Sequence, residues 1–163
     1  MRKVLGIFSV ALSLLFYQKT FAHCEVPCGI YHDDLRIKQI EEAILTIEKS
    51  IRAIQELSKE QNNPLAVNQL VRWIDNKDKH AEKIQHIIWQ YFFTQRVKPV
   101  DPKDHEKYEK YLKKLELLNR LNFYAMKAKQ SVDLKVVDNL RETLEKFEKV
   151  YFGKEHIDLD HHH

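Results

Sequence analysis

Apolar residues recur every three or four positions along most of this chain, which is the period of an amphipathic α-helix. The clearest run is a set of isoleucines spaced 3, 4, 3, 4 and 3 residues apart: Ile37, Ile40, Ile44, Ile47, Ile51 and Ile54. The sequence Asn62-Asn63-Pro64 follows and predicts the end of this helix. The chain therefore opens its folded part with one long helix that buries a single apolar stripe.

The same period predicts three further helices. The second spans about residues 65 to 96, with inward positions at Val67, Leu70, Ile74, Ala81, Ile84, Ile88 and Tyr91. A segment with two prolines, KPVDP, separates it from the third helix, whose stripe consists of Tyr108, Tyr111, Leu115, Leu118 and Ala125. The fourth helix, which Ser131 or Asp133 is expected to cap, carries Val137, Leu140, Leu144, Phe147 and Tyr151.

Four helices with short connections predict an all-α fold, an up-down-up-down four-helix bundle over residues 32–155. A short hook at residues 23–31 would precede it, and a C-terminal tail at residues 156–163 would follow it. The stretch IIWQYFF at residues 87–93 is apolar on nearly every side of its helix, so it must be buried on more than one face. It predicts either a large aromatic core layer or a contact between subunits.

Residues 1–22 are typical of a secretory signal peptide. Arg2 and Lys3 precede the apolar run VLGIFSVALSLLF, and a small residue ends the segment at Ala22. The run falls short of the about 20 residues that span a bilayer, which argues against an uncleaved anchor. We therefore expect an exported protein, periplasmic or secreted, that begins at His23 and has no membrane segment after cleavage.

The positive charge of the chain belongs to this leader. The net charge is +3, and the leader carries three of the 27 basic residues and no acidic one, which leaves 24 basic against 24 acidic residues. A balanced chain of this kind gives no argument for binding nucleic acid or acidic membranes.

The chemistry of the sequence is concentrated at the expected new N-terminus, HCEVPCGIY. The amine of His23, the amide nitrogen and thiolate of Cys24 and the thiolate of Cys28 can bind one metal ion, and Pro27 helps the chain to turn back. Two nitrogens and two thiolates suit a square-planar ion such as Ni(II) or Cu(II). The His23 imidazole could then occupy an axial position, and such strong donors would bring the Ni(III)/Ni(II) couple into the biological range.

The pattern H-C-x-x-P-C-G-x-Y resembles the metal-binding hook of the nickel superoxide dismutase family, with all six defining positions matched: His23, Cys24, Pro27, Cys28, Gly29 and Tyr31. The resemblance implies a four-helix bundle that assembles as a homohexamer with one nickel per subunit. It implies that His23, Cys24 and Cys28 are the metal ligands and that Tyr31 stands over the open face of the metal as the catalytic residue. The implied activity is the conversion of superoxide to dioxygen and hydrogen peroxide.

One position departs from the family pattern. The family places a carboxylate after an Arg-Ile pair in the first helix, where it steadies the axial imidazole. Here Arg36-Ile37 is followed by Lys38, with Glu41 and Glu42 a turn further on. The partner of the His23 ring is therefore left open, although such partners tune ligand basicity.

Other interpretations remain at this point. Cys24 and Cys28 could form a disulfide, as exported thiols often do, in a helical interaction module. The hook could instead serve an exported nickel or copper carrier or sensor without turnover. His80, His86 and His105 lack ligand spacing and are expected to be surface or satisfied core residues. Residues 161–163 are histidines, either a natural metal-gathering tail or the remnant of a tag, with no catalytic role expected.

Overall fold

A computed structural model of the chain describes residues 33–60 and 62–153. Its α-helices are α1 (Asp34–Leu57), α2 (Pro64–His86), α3 (His105–Gln130) and α4 (Lys135–Phe152), and α2 continues into a π-helical segment, Ile87–Arg96. The described residues contain no strand, which confirms the all-α prediction. None of the described helices is long and apolar enough to cross a membrane.

The helices are neighbours in chain order, and α1 also packs against α4, which closes the bundle. Long-range hydrogen bonds show that α1 and α4 run in opposite directions. At one end the Gln55 side chain donates to the Val132 carbonyl at 2.8 Å, and at the other end the Tyr151 hydroxyl donates to Asp33 at 2.7 Å. The up-down-up-down topology predicted from the sequence is therefore confirmed.

The isoleucine stripe of α1 forms one wall of the core. All six isoleucines are at most 6% exposed, as the spacing predicted. Opposite them, α4 buries Val137, Leu140, Leu144 and Phe147. Full burial of one such side chain stabilises the fold by about 1.5–3 kcal/mol, so these two stripes account for much of the packing energy.

The inward face of α2 differs from the prediction. Val67 and Ile74 were expected to be inward, but they are 40% and 41% exposed. The buried residues of this helix are Ala66, Lys77, Ala81 and Ile84. The prediction is confirmed at Ala81, Ile84, Ile88 and Tyr91 and was wrong at Val67 and Ile74, because the buried stripe passes through a lysine, which a count of apolar residues skips.

Lys77 satisfies the C-terminal end of α3. Its side chain is 2% exposed, and Nζ donates to the carbonyls of Ala128 at 2.6 Å and Lys129 at 3.0 Å and to Asp78 Oδ1 at 2.8 Å. The last carbonyls of a helix have no partner within the helix and carry a partial negative charge. A buried ammonium group is therefore stabilised at this place.

Side chains fix the helix starts much as the sequence predicted. The Asn63 side chain accepts hydrogen bonds from Leu65 N at 3.0 Å and Ala66 N at 3.4 Å at the start of α2. Before α4, both predicted residues take part: Asp133 Oδ1 accepts from Lys135 N at 2.9 Å, and Ser131 Oγ accepts from Asp133 N at 3.0 Å. These polar residues leave few orphan donors at the helix starts.

The continuation of α2 has the hydrogen bonds of a π-helix, in which each donor reaches back five residues. Val97 N donates to the Phe92 carbonyl at 2.8 Å, and the Thr94 hydroxyl donates to the Trp89 carbonyl at 2.7 Å. Ten residues adopt this form, Ile87–Arg96. The predicted helix over residues 65–96 is thus present, but its last part is wound more widely than an α-helix.

The apolar stretch within this segment builds an aromatic core layer. Phe92 is fully buried and meets the Phe147 ring edge-on, with centroids 4.9 Å apart, and the Tyr151 ring at 5.4 Å. Trp89 is 53% exposed and lies against Phe93, with centroids 4.8 Å apart. The core-layer prediction is confirmed for the inward side, and a subunit contact on the outward side stays a prediction.

Candidate functional site

The predicted metal ligands His23, Cys24 and Cys28, together with Tyr31, lie outside the described residues. Within residues 33–60 and 62–153, no group of three or more histidine, cysteine, aspartate or glutamate side chains could hold a metal ion. Both cysteines of the sequence belong to the hook. The site residues stay predictions, and what the structure describes is the end of the bundle to which the hook is attached.

Asp33 is the residue at this attachment point, two positions after Tyr31. Its carboxylate accepts hydrogen bonds from three side chains on two other elements. Arg96 Nε donates to Oδ1 at 2.7 Å, the Tyr91 hydroxyl also donates to Oδ1, and the Tyr151 hydroxyl donates to Oδ2 at 2.7 Å. We call these four residues, Asp33, Tyr91, Arg96 and Tyr151, the Asp33 cluster.

Asp33 stands at the N-cap of α1 but does not cap the helix with its side chain. Its backbone carbonyl accepts from Arg36 N at 2.9 Å, whereas the carboxylate makes no hydrogen bond to the first turn. Aspartate is among the best N-cap residues, and an N-cap bond contributes about 0.5–2 kcal/mol. The carboxylate forgoes that bond and joins α1 to the π-helical segment and to α4.

The protonation of the cluster is well defined. Burial raises the pKa of Asp33, but the hydrogen bonds from Tyr91, Tyr151 and Arg96 together outweigh it and lower the pKa below its ordinary value. Burial and the bond to the neighbouring carboxylate raise the pKa of both tyrosines, that of Tyr151 strongly. At neutral pH the cluster holds a carboxylate, two protonated phenols and a guanidinium.

Two cations outside the cluster, Arg36 and Lys114, lie over its tyrosine rings, as does Arg96 itself. The guanidinium carbons of Arg36 and Arg96 lie 5.0 and 5.2 Å from the centre of the Tyr91 ring. Lys114 Nζ lies 5.0 Å from the centre of the Tyr151 ring, and burial, helped by nearby Lys110, lowers its pKa. Cations over aromatic faces gain about 0.5–1 kcal/mol each at exposed sites. The end of the bundle at which α1 begins therefore carries Arg36 and Lys114 in addition to the Arg96–Asp33 pair.

The structure describes the residues around the departure in the first helix. Arg36 donates to Gln39 Oε1 at 2.9 Å in addition to its contact with Tyr91, and Glu42 is exposed. Glu41 borders a cavity of about 220 Å³ between α1 and α4. The partner of the His23 ring stays a prediction without an assigned residue.

The three histidines of α2 and α3 that the sequence analysis considered behave as expected from their spacing. His80 Nδ1 is 2.8 Å from the carbonyl of Asn76, one turn earlier in α2. His86 and His105 are exposed. The described residues contain no group of three or more potential metal ligands, so none of these histidines belongs to one.

The comparison with family models covers both the hook and the bundle. Residues 18–155 match the model of the family described as nickel-containing superoxide dismutase. The chain belongs to the nickel-containing superoxide dismutase family. The match includes most of the chain, and the four-helix fold agrees with it. No curated protein and no solved structure gave a significant match.

Membership of the nickel-containing superoxide dismutase family settles the general activity. The protein is an oxidoreductase with a nickel cofactor, and superoxide is its substrate. The family resemblance read from the hook is therefore confirmed. A role as a nickel or copper carrier without turnover loses support, because the family is defined by an enzyme.

Sequence reasoning missed the Asp33 cluster as a unit. Tyr91 and Tyr151 were assigned to apolar stripes, and Arg96 was only the last residue of a helix. The sequence contained one signal for the cluster: each tyrosine is the last residue of its apolar stripe. At that position a tyrosine can bury its ring in the core and place its hydroxyl at the edge, where it can bind a polar partner. The joint position of Tyr91 and Arg96 was hidden, because residues five apart do not share a face of an α-helix.

Proposed function

We propose that this chain is an exported nickel superoxide dismutase whose metal centre is the hook at residues 23–31. The family match over residues 18–155 carries the proposal, since it includes the whole hook. Removal of residues 1–22 would expose the amine of His23, and the enzyme would then be periplasmic or secreted. As the resemblance implies, we propose a homohexamer with one nickel per subunit.

The donor set fits nickel. The amine of His23, the amide and thiolate of Cys24 and the thiolate of Cys28 would provide two nitrogens and two sulfurs, a set that suits Ni(II), and the His23 imidazole would be a further ligand. Bound nickel would supply a Ni(III)/Ni(II) couple that accepts an electron from one superoxide and returns it to another. Two superoxide ions and two protons thereby yield one dioxygen and one hydrogen peroxide.

Residues other than the metal ligands would control the approach of superoxide and the supply of protons. Tyr31 is proposed to order solvent and to limit the approach of anions to the open side of the metal. The cations at the attachment end outside the Asp33 cluster, Arg36 and Lys114, support the approach of a small anion, since a local positive potential raises association rates and is weakened by salt. Solvent or backbone groups would deliver the two protons.

The decisive experiment is N-terminal sequencing and metal analysis of the native protein, followed by measurement of superoxide consumption. We expect a chain that begins at His23 with one nickel per subunit. A form that keeps one extra residue before His23 should bind nickel poorly and be inactive, because its α-amine is replaced by an amide. Full activity of that form would contradict the assignment of the amine as a ligand.

Single substitutions separate the ligands from other residues of the same type. Cys24→Ser and Cys28→Ser should each lose nickel and activity, and His23→Ala should lose the axial ligand and most activity. His86→Ala is the matched control, because His86 is exposed on the bundle and is not a proposed ligand. Equal losses in His23→Ala and His86→Ala would contradict the proposed site.

A further inference from the structure

The Asp33 cluster lies where the hook meets the bundle, and no step of the proposed function uses it. It contains a carboxylate with 18% side-chain exposure, a guanidinium with 30%, and two phenols that all converge on the same two oxygen atoms. An ion pair of this kind on a single helix would be ordinary. This one joins the N-cap residue of α1 to the end of the π-helical segment and to the end of α4.

Covalent geometry ties the hook to this cluster. A chain spans at most about 3.6 Å per residue, so the Cα of Tyr31 is within about 7 Å of the Cα of Asp33. The Cα of Cys28, five residues before Asp33, is within about 18 Å. Whatever holds Asp33 therefore limits where the metal-binding residues can be.

We propose that Asp33, Tyr91, Arg96 and Tyr151 form a positioning clamp that fixes the base of the nickel hook on the bundle. This inference rests on the proposed function of the hook. The clamp holds the last residue before α1 in one place, so that fewer residues have to be ordered when the metal binds. Its members are positioning residues and do not touch the reacting atoms.

The local structure favours a clamp. Asp33 gives up the helix cap for which aspartate is suited and uses both carboxylate oxygens on distant elements. In an α-helix, Tyr91 and Arg96 would point about 140° apart, because five residues of about 100° each exceed one full turn. The π-helical winding turns less per residue and brings residues five apart closer together, and both side chains reach the same oxygen of Asp33.

A role as proton source does not fit the same residues. The Asp33 carboxyl is ionised at neutral pH, because its pKa is lowered by its three donors. The phenols hold their protons more tightly than free tyrosine, because burial and Asp33 raise the pKa of both. The directions of these shifts agree with a cluster that holds its protons in place, as the contacts of both Asp33 oxygens already indicate.

The test compares Asp33→Ala with Leu121→Ala in the correctly cleaved protein. Leu121 is fully buried on α3 and is not part of the clamp, so its truncation lowers stability without touching the hook attachment. The dissociation constant for nickel is measured at a temperature where circular dichroism shows both variants folded. Asp33→Ala should bind nickel about tenfold more weakly, the equivalent of ordering about one more residue, whereas Leu121→Ala should match the wild type.

A second readout does not depend on the metal affinity. Hydrogen exchange of the peptide that covers residues 23–32 should be faster in nickel-loaded Asp33→Ala than in the wild type and in Leu121→Ala. Tyr151→Phe should show a smaller increase, because it removes one of the donors and keeps the ring. Tyr124→Phe removes a phenol hydroxyl on α3, outside the clamp, and should show no increase in exchange.

The outcomes separate the two proposals. If the wild type binds no nickel at residues 23–31, the proposed function fails. If the wild type binds nickel and Asp33→Ala keeps its affinity and exchange rates, the function stands and the clamp is refuted. Equal losses in Asp33→Ala and Leu121→Ala would also refute the clamp, since the effect would then be one of general stability.

Discussion

Replacement of Lys77 by methionine tests the least expected feature of the core. The side chain is 2% exposed, and its ammonium group donates to two carbonyls at the end of α3 and to Asp78. Methionine keeps the length and apolar stem of lysine but removes the charge and all three hydrogen bonds. The variant therefore measures the polar contribution with little change in packing.

The magnitude follows from two opposed effects. A hydrogen bond that involves a charged group contributes about 1.5–3 kcal/mol, so three such bonds would amount to about 5–9 kcal/mol. Burial of an ammonium group costs several kcal/mol, which methionine does not incur. Asp78 is 36% exposed and recovers part of its loss from water. We therefore expect Lys77→Met to lower the free energy of unfolding by about 2–4 kcal/mol.

Denaturant unfolding followed by far-UV circular dichroism measures this difference, and thermal unfolding should show a Tm about 10 °C lower. The matched control is Lys79→Met, two residues along the same helix. Lys79 pairs with Asp75 at 2.7 Å, but its side chain is 68% exposed, so its replacement should change stability by less than about 0.5 kcal/mol. A change of the same small size in Lys77→Met would refute the reasoning, because the ammonium would then do no more than offset its own burial.

Three further predictions follow from the core, the Asp33 cluster and the position of the hook. Phe92→Ala should destabilise the protein by about 3–5 kcal/mol in denaturant unfolding, whereas Trp89→Ala, at a side chain 53% exposed, should cost less than about 1 kcal/mol. The pKa of Asp33 is lower in the folded chain than its ordinary value of 3.8, so its contribution to stability is present above that value and is lost as the pH falls through the folded pKa. The free energy of unfolding, measured by denaturant unfolding between pH 6 and pH 2, should therefore decrease less with falling pH for Asp33→Asn than for the wild type. Removal of nickel by a chelator should leave the far-UV circular dichroism of the bundle unchanged, because the described core contains no metal-binding group; a large loss of helix would contradict this.

Much of the fold could be predicted from the sequence because the apolar period was almost pure. The predicted stripes of α1 and α4 are buried apart from the partly buried Tyr151, although the same faces also bury Ser50 and Thr143, which an apolar pattern does not mark. The phase of α2 was wrong at Val67 and Ile74 because its inward face includes Lys77. A buried lysine becomes favourable only through the carbonyls of another helix, which a local pattern does not contain.

The metal-binding residue types of the candidate site could be predicted from the sequence, but the contacts that hold its attachment point could not. The hook resemblance rests on residue types at fixed spacing, and the family match confirms the family. The contacts of Asp33 could not be predicted, because they join residues 58, 63 and 118 positions apart. They also depend on a π-helical winding that an analysis based on 3.6 residues per turn does not anticipate.

The π-helical segment makes the protein sensitive to insertions at one place. One extra residue between Tyr91 and Arg96 would put them six apart and turn the guanidinium away from the side on which both side chains now reach Asp33. A substitution at exposed Gln90 would leave that geometry in place. Sequence drift in this segment is therefore expected to exchange residues without adding any.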